Sequence, residues 1–117
     1  MTLKDVVESL PAHVVHAAPG FQDVRVDSIL AGDLMSDILV SVEADALLVT
    51  SLATEQAVRS ADIVGARAIL LVNDKLPLPA MKSLAEKSGI TLLATPMPMF
   101  ETCVILGALR EMHDDGR

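Results

Sequence analysis

Residues 47–75 read LLVTSLATEQAVRSADIVGARAILLVNDK, and this stretch decides the fold of the chain. Its two ends, 47–49 and 68–72, are uninterrupted apolar runs of strand length, which is typical of strands that are covered on both faces. Between them, Thr54 is a suitable helix cap, apolar residues recur at helical spacing, and Gly65 suits the left-handed end of a helix. A strand, a helix and a second strand in this order predict a βαβ unit and therefore a parallel sheet.

The rest of the chain supplies further strands and helices around this unit. Periodicity and capping signals predict, in chain order, a helix at 2–10, an edge strand at 13–16, a strand at 24–26, helices at 33–40, 54–65 and 80–88, a strand at 90–94 and a helix at 99–112. We expect the strands centred near Val49, Leu70 and Leu92 to be parallel to one another. This order of elements predicts a single α/β domain over residues 1–117, a three-layer α/β/α sandwich with a mostly parallel sheet.

The composition restricts the classes of function. The chain has a formal net charge of −7, its basic residues are scattered, and two Phe residues are its only aromatic side chains, which argues against nucleic-acid binding. No uncharged apolar run reaches the roughly 18–20 residues that a membrane span requires, and acidic residues interrupt the N-terminal segment where a signal peptide would be apolar. The single cysteine fits a reducing compartment, so we expect a cytoplasmic protein without nucleic-acid or membrane partners.

Two pairs of residues raise the question of metal binding. Asp33 and Asp37 lie one helical turn apart. Their carboxylates suit Mg²⁺ or Ca²⁺. We favour the alternative that Asp33 caps the N-terminus of the helix. His13 and His16 would point to opposite faces of a strand, so they would not converge on one ion. We therefore predict no metal site.

Cys103 raises the same question for catalysis. Together with Met97 and Met99 it suggests soft-metal ligands or a nucleophilic thiol near a helix N-terminus. It lies inside an apolar helix, however, where a free cysteine is usually a small core residue, and no histidine is placed beside it by a local motif. We predict no catalytic residue, no cofactor and no enzymatic activity.

Polar residues follow the predicted parallel strands where each strand ends. In open parallel sheets, ligands bind beyond the carboxyl ends of the strands, and helix N-termini near residues 54 and 99 would add backbone N–H groups that suit an anion. The candidate ligand-binding residues are Thr50, Ser51, Thr54, Asn73, Asp74, Lys75 and Thr95. If they form a site, their side chains should line one concavity; the alternative is that they are ordinary turn and capping residues.

The last helix is apolar over more of its circumference than one sheet can cover. Between residues 97 and 109, only Glu101 and Thr102 interrupt a run of apolar, Gly and Pro residues, and helix 33–40 has a similar excess. An exposed apolar arc normally marks a protein–protein surface, so we predict a two-fold homodimer with one or both helices in the interface. The candidate interface residues are Met35, Ile38, Phe100, Val104, Ile105, Ala108 and Leu109.

Three separated segments together carry a resemblance to a known family. They read GDLMSDIL at 32–39, LLVTSLATEQAVRSADIVGARAILLV at 47–72 and ITLLATPMPMFETC at 90–103. In this order they resemble stand-alone DRTGG-domain proteins. The resemblance implies an α/β fold that tends to dimerise and, from hydrogenase-associated members, a protein partner encoded nearby. The name-giving residues differ here, since 52–53 are Leu-Ala where Asp-Arg is expected and 72–74 are Val-Asn-Asp where Thr-Gly-Gly is expected.

Two functions from different classes are consistent with these observations. The first is a non-catalytic regulatory or interaction module that acts as a homodimer. The second is a small-ligand sensor that binds a nucleotide or another anion at the carboxyl ends of the strands. We predict the first, because the strand ends lack a Gly-rich phosphate-binding loop such as GxGxxG or GxxxxGKS.

Overall fold

The computed structural model describes residues 1–41 and 43–115. Its helices and strands are α1 (Leu3–Ser9), β1 (His13–His16), β2 (Ser28–Ala31), α2 (Met35–Leu39), β3 (Ala46–Thr50), α3 (Glu55–Val64), β4 (Ala68–Leu71), α4 (Pro79–Ser88), β5 (Thr91–Ala94) and α5 (Met99–Asp115). A short 3₁₀ turn, Phe21–Asp23, lies between β1 and β2. Within the described residues, no helix is long and apolar enough to cross a membrane.

The strands form one sheet in the order β1-β5-β4-β3-β2. The neighbours from β2 to β5 are parallel, and β1 pairs with β5 in the antiparallel direction. The predicted parallel arrangement of the three central strands is confirmed, and so is the edge strand at 13–16. α3 connects β3 with β4, and α4 connects β4 with β5, as expected for the crossover helices of a parallel sheet.

Alternate residues of the central strands face two separate apolar clusters, one on each side of the sheet. On the first side, Leu48, Ile69 and Leu92 pack in one cluster with residues of α2, α3 and α4. On the second side, Leu47 and Leu70 pack in another cluster with residues of α1 and α5. The strands β3, β4 and β5 are buried along their whole length because both of their faces are covered. The predicted three-layer α/β/α architecture is therefore confirmed.

The central helices begin and end close to the predicted residues. Gly65 and Gly89 end α3 and α4 in the left-handed conformation, with φ angles of 80° and 69°, which glycine adopts without steric cost. Pro79 lies in the first turn of α4, where its missing N–H has no helical partner to lose. Thr54 occupies the N-cap position of α3, but its side chain makes no capping hydrogen bond to the described residues.

Two elements before residue 41 differ from the prediction. The predicted strand at 24–26 forms an isolated antiparallel bridge, between Arg25 and Thr2, and the strand of the sheet is instead β2. Helix α2 begins at Met35, and Leu34 occupies its N-cap position. Asp33 therefore does not cap this helix, because its carboxylate is bound to the neighbouring strand.

Candidate functional site

The carboxyl ends of the four parallel strands meet at one edge of the sheet, which we call the carboxyl edge. It carries Asp33 after β2, Thr50 and Ser51 at the end of β3, the segment 73–75 after β4, and Thr95 after β5. The predicted ligand-binding residues therefore lie at the same end of the molecule. Their hydrogen bonds divide them into two groups.

The first group joins the ends of β2 and β3 through the carboxylate of Asp33. Its Oδ1 atom accepts hydrogen bonds from the Thr50 hydroxyl at 3.0 Å and the Ser51 backbone N–H at 2.7 Å, and its Oδ2 atom accepts one from the Ser51 hydroxyl at 2.7 Å. The Ser51 backbone N–H, the Ser51 and Thr50 hydroxyls and the charge of Lys75 lower the pKa of Asp33, although partial burial opposes them. Asp33 thus acts as an anionic clamp between two strands.

The sequence predicted a different role for Asp33, as a helix cap. The helix-cap interpretation assumed that residue 33 begins a helix, whereas Gly32 and Asp33 come directly after a strand. The available signal was the short apolar run at 29–31 ahead of them, which would have identified β2. Once β2 lies beside β3, an acidic residue after one strand and hydroxyls after the next are expected to meet.

The second group connects the turn after β4 with the start of α5. Asn73 and Asp74 both have left-handed backbones, with φ angles of 60° and 59°, a conformation that Asn and Asp tolerate better than most residues. The Asn73 N–H donates to the Met97 carbonyl at 2.8 Å, and its side-chain Oδ1 accepts from the Met99 N–H at 3.3 Å. Asn73 thus satisfies an N–H group at the N-terminus of α5 from another part of the chain.

No pocket forms at the carboxyl edge among the described residues. Thr50 and Thr95 are buried, and their hydroxyls donate inside the protein, to Asp33 and to the Pro11 carbonyl. The remaining candidates keep partly or fully exposed side chains: Ser51, Thr54, Asn73, Asp74 and Lys75. Several of the polar groups predicted to bind a ligand thus form hydrogen bonds that hold the strand ends together.

The Asp33 clamp leads to a prediction about stability and pH. Asp33→Asn should lower the free energy of unfolding by about 1 kcal/mol near neutral pH, since it exchanges charge-assisted for neutral hydrogen bonds at a solvent-accessible site. The folded-state pKa lies below the unfolded value, so this contribution is present above about pH 4 and is lost as the pH falls through the folded-state pKa. Urea unfolding of both proteins at a series of pH values measures the difference.

The control for this prediction is Asp62→Asn, which alters an exposed carboxylate on α3. It should leave the free energy of unfolding nearly unchanged at neutral pH. The difference between wild type and Asp33→Asn should be constant from about pH 7 to 5 and shrink below about pH 4. A difference that grows as the pH falls would contradict the proposed anionic clamp.

The second candidate surface lies on α5. Leu106 and Leu109 are buried in the cluster on the second side of the sheet, and Thr102 is also buried. The opposite side of the helix carries apolar residues at intervals of four, with exposed fractions of 73% for Phe100, 53% for Val104 and 68% for Met112. We call the set formed by Phe100, Val104, Ala108 and Met112 the α5 outer face; Ala108 is also exposed. The apolar excess predicted for this helix is therefore present at the surface of the protomer.

The structure places the other candidate interface residues differently. Met35 and Ile38 are buried in the cluster shared with α3 and α4, so the prediction that they lie in an interface is wrong. The physical reason is strand β2, which the sequence did not predict. It makes α2 a crossover helix between β2 and β3, with Met35 and Ile38 packed against the sheet. Leu109 is also buried, and Ile105 is half-buried, because both pack on the second side of the sheet.

Cys103 is half-buried on α5, and its thiol lies 3.9 Å from the Met99 sulfur. Burial raises the pKa of this thiol, which lowers the fraction of the nucleophilic thiolate at neutral pH. In the part of the chain that the structure describes, no three His, Cys, Asp or Glu side chains are grouped in a way that could hold a metal ion.

Comparisons with known proteins do not assign the chain to a family. No protein-family model matches it, and no curated protein shows significant similarity. The resemblance of three segments to DRTGG-domain proteins therefore stays a prediction.

Proposed function

We propose that this protein is a non-catalytic regulatory or interaction module that acts as a homodimer, with the α5 outer face in a two-fold interface. The observation that carries the proposal is the apolar side of α5 that faces away from the sheet, from Phe100 to Met112. Large exposed apolar residues that form a continuous stripe normally mark a protein–protein surface. The stripe spans about 18 Å along the helix, at 1.5 Å per residue.

A second copy of the chain is the partner that this stripe suits. In a two-fold interface each copy contributes the same patch, so one self-complementary stripe is sufficient. Gly107 and Ala108 lie near the middle of the exposed side, and a Cβ atom added at Gly107 would meet no described atom within 4 Å beyond its chain neighbours and the adjacent helix backbone. This space allows the backbone of a second helix to approach closely, between the larger side chains of Val104 and Met112.

Two observations support a role without catalysis. The hydroxyls of Thr50 and Thr95 donate within the protein and are buried, so they are not presented to a substrate. The thiol of Cys103 has its pKa raised by burial, which is the opposite of what activates a nucleophilic cysteine. The alternative, a sensor for a nucleotide or another anion, has less support because the carboxyl edge forms no pocket among the described residues.

The remaining parts of the proposal rest on the sequence. The single cysteine supports a cytoplasmic location. The resemblance to DRTGG-domain proteins supports dimerisation and a protein partner encoded near this chain.

Sedimentation equilibrium of the wild-type protein tests the proposed homodimer. We expect a dimer at micromolar concentration, because interfaces of this kind are rich in aliphatic side chains and usually tight. A mass corresponding to the monomer at micromolar concentration would overturn the proposal. A thermal-shift series with adenine nucleotides and acetyl phosphate tests the alternative, since a ligand that binds the native state raises the melting temperature.

A further inference from the structure

The α5 outer face carries acidic side chains beside its apolar ones. At about 100° per residue, Glu111 lies about 20° round the helix from Val104, and Glu101 lies about 60° round on the other side. Both glutamates are exposed. An interface formed through this face therefore contains or borders on two carboxylates from each copy.

Within the described residues, no ion pair neutralises these two carboxylates. The ion pairs join other groups, namely Arg25 with Asp27, Arg59 with Glu55, and His113 with Asp5. The sequence of α5 contains one Lys or Arg residue, Arg110, which lies about 120° round the helix from Val104 and so beside the outer face rather than on it. The elements that contact α5 carry charges of both signs, which are Lys4, Asp5 and Glu8 on α1 and Asp74 and Lys75 in the turn after β4.

Two copies that pair through this face bring like charges together in either direction of pairing. If the two helices run antiparallel about the level of residue 106, midway between Phe100 and Met112, Glu101 of each copy lies at the level of Glu111 of the other. If the helices run parallel, each glutamate lies at the level of its own counterpart. The four carboxylates therefore repel one another across the interface.

We propose that dimerisation through the α5 outer face takes up protons, so that the dimer is tighter at about pH 5 than at neutral pH. This inference rests on the proposed homodimer and adds a means of regulating it. In the separate copies, water solvates the glutamate carboxylates. In the dimer they lose part of that water and lie near like charges, and both changes disfavour the charged form.

The direction of the effect follows from the charge that each state tolerates. At neutral pH, Glu101 and Glu111 are charged in both states, and the dimer carries the cost of their repulsion. As the pH falls towards about 4, glutamate carboxylates bind protons, and the dimer binds them more readily because neutralisation removes the repulsion. The dimer is thus stabilised as the pH falls and destabilised as it rises.

Sedimentation equilibrium of the wild-type protein at about pH 7.5 and at about pH 5, at constant ionic strength, tests this inference. The dissociation constant of the dimer should be about tenfold or more lower at the acidic pH. The double variant Glu101→Gln/Glu111→Gln should dimerise about tenfold more tightly than the wild type at the higher pH, and its dissociation constant should change by less than about threefold between the two pH values. Circular dichroism at both pH values checks that the fold is retained.

The matched control is Asp62→Asn/Glu86→Gln, which removes the same number of negative charges from exposed positions of α3 and α4. It should keep the wild-type response to pH. A wild-type dimer with equal dissociation constants at both pH values would overturn the inference and leave the proposed homodimer intact. An undiminished pH response in the Glu101→Gln/Glu111→Gln variant, or its loss in the control, would do the same. A monomer at both pH values would overturn the inference together with the homodimer.

Discussion

Replacing Val104 with Glu is expected to convert the proposed dimer into monomers. Val104 lies at the centre of the α5 outer face, so in a two-fold interface each copy would bury one added carboxylate, and the cost would apply twice. We expect the dissociation constant to rise about a thousandfold, which corresponds to about 4 kcal/mol. Sedimentation equilibrium over a range of concentrations measures this change directly.

The matched control for Val104→Glu is Ile63→Glu. Ile63 has 72% of its surface exposed but lies on α3, on the opposite side of the sheet from α5. This variant introduces the same charge at an exposed apolar position of the other helical layer and should sediment as the wild type does. A dimer in Val104→Glu together with a monomer in Ile63→Glu would move the interface to the other helical layer. Circular dichroism should show that both variants keep the wild-type fold.

The second large effect is expected on the inner side of the same helix. Leu106 is fully buried between α5 and the sheet. Leu106→Ala should lower the free energy of unfolding by about 2–5 kcal/mol, because it removes buried methyl groups and leaves a cavity. Urea unfolding in the Val104→Glu background measures this loss in a monomer, so that dissociation of the dimer does not contribute.

Val104→Ala is the outer-face counterpart of Leu106→Ala. At protein concentrations low enough to give monomers, its effect should stay within about 0.5 kcal/mol, since about half of the side chain is exposed to water. The two truncations should thus separate the role of α5 in folding from its role in association. Equal destabilisation of the monomer by both would show that the outer face packs against the protomer itself.

The sequence predicted those parts of the fold in which the apolar runs and the helix-ending glycines indicate the same elements. The apolar runs around Val49, Leu70 and Leu92 are long enough to be recognised as buried strands, and Gly65 and Gly89 end the helices between them. Strands covered on both faces read as continuous apolar runs, and here their short length and the glycine-ended helices between them distinguish them from buried helix segments. These elements were therefore correct in type, in order and nearly in their boundaries.

β2 was missed because its apolar run, 29–31, is short and only Gly32 and Asp33 separate it from the apolar residues that lead into α2. A continuous apolar run does not by itself distinguish a strand from a buried helix segment. The error determined two others. Without β2, Asp33 was interpreted as a helix cap, and Met35 and Ile38 were assigned to an exposed surface rather than to the core.

The candidate ligand site shows a different limit. Chain order predicts that Thr50 and Thr95 lie at the same edge of the sheet, and they do. It does not predict whether a hydroxyl faces solvent or an acceptor inside the protein. Here the acceptors, the Asp33 carboxylate and the Pro11 carbonyl, come from sequence-distant segments, so only the three-dimensional arrangement reveals them.

The two sides of the sheet are completed at different times during synthesis of the chain. On the first side, α2, α3 and α4 each follow the strand that they cover, so that side closes step by step as the chain emerges from the ribosome. On the second side, α1 is made first, but Leu47, Leu70 and Leu93 also pack in one cluster with Leu106, which is made after the last strand. A nascent chain thus passes through a stage in which a nearly finished sheet exposes the apolar area that α5 later covers, and this is the stage at which chaperone binding or aggregation would occur.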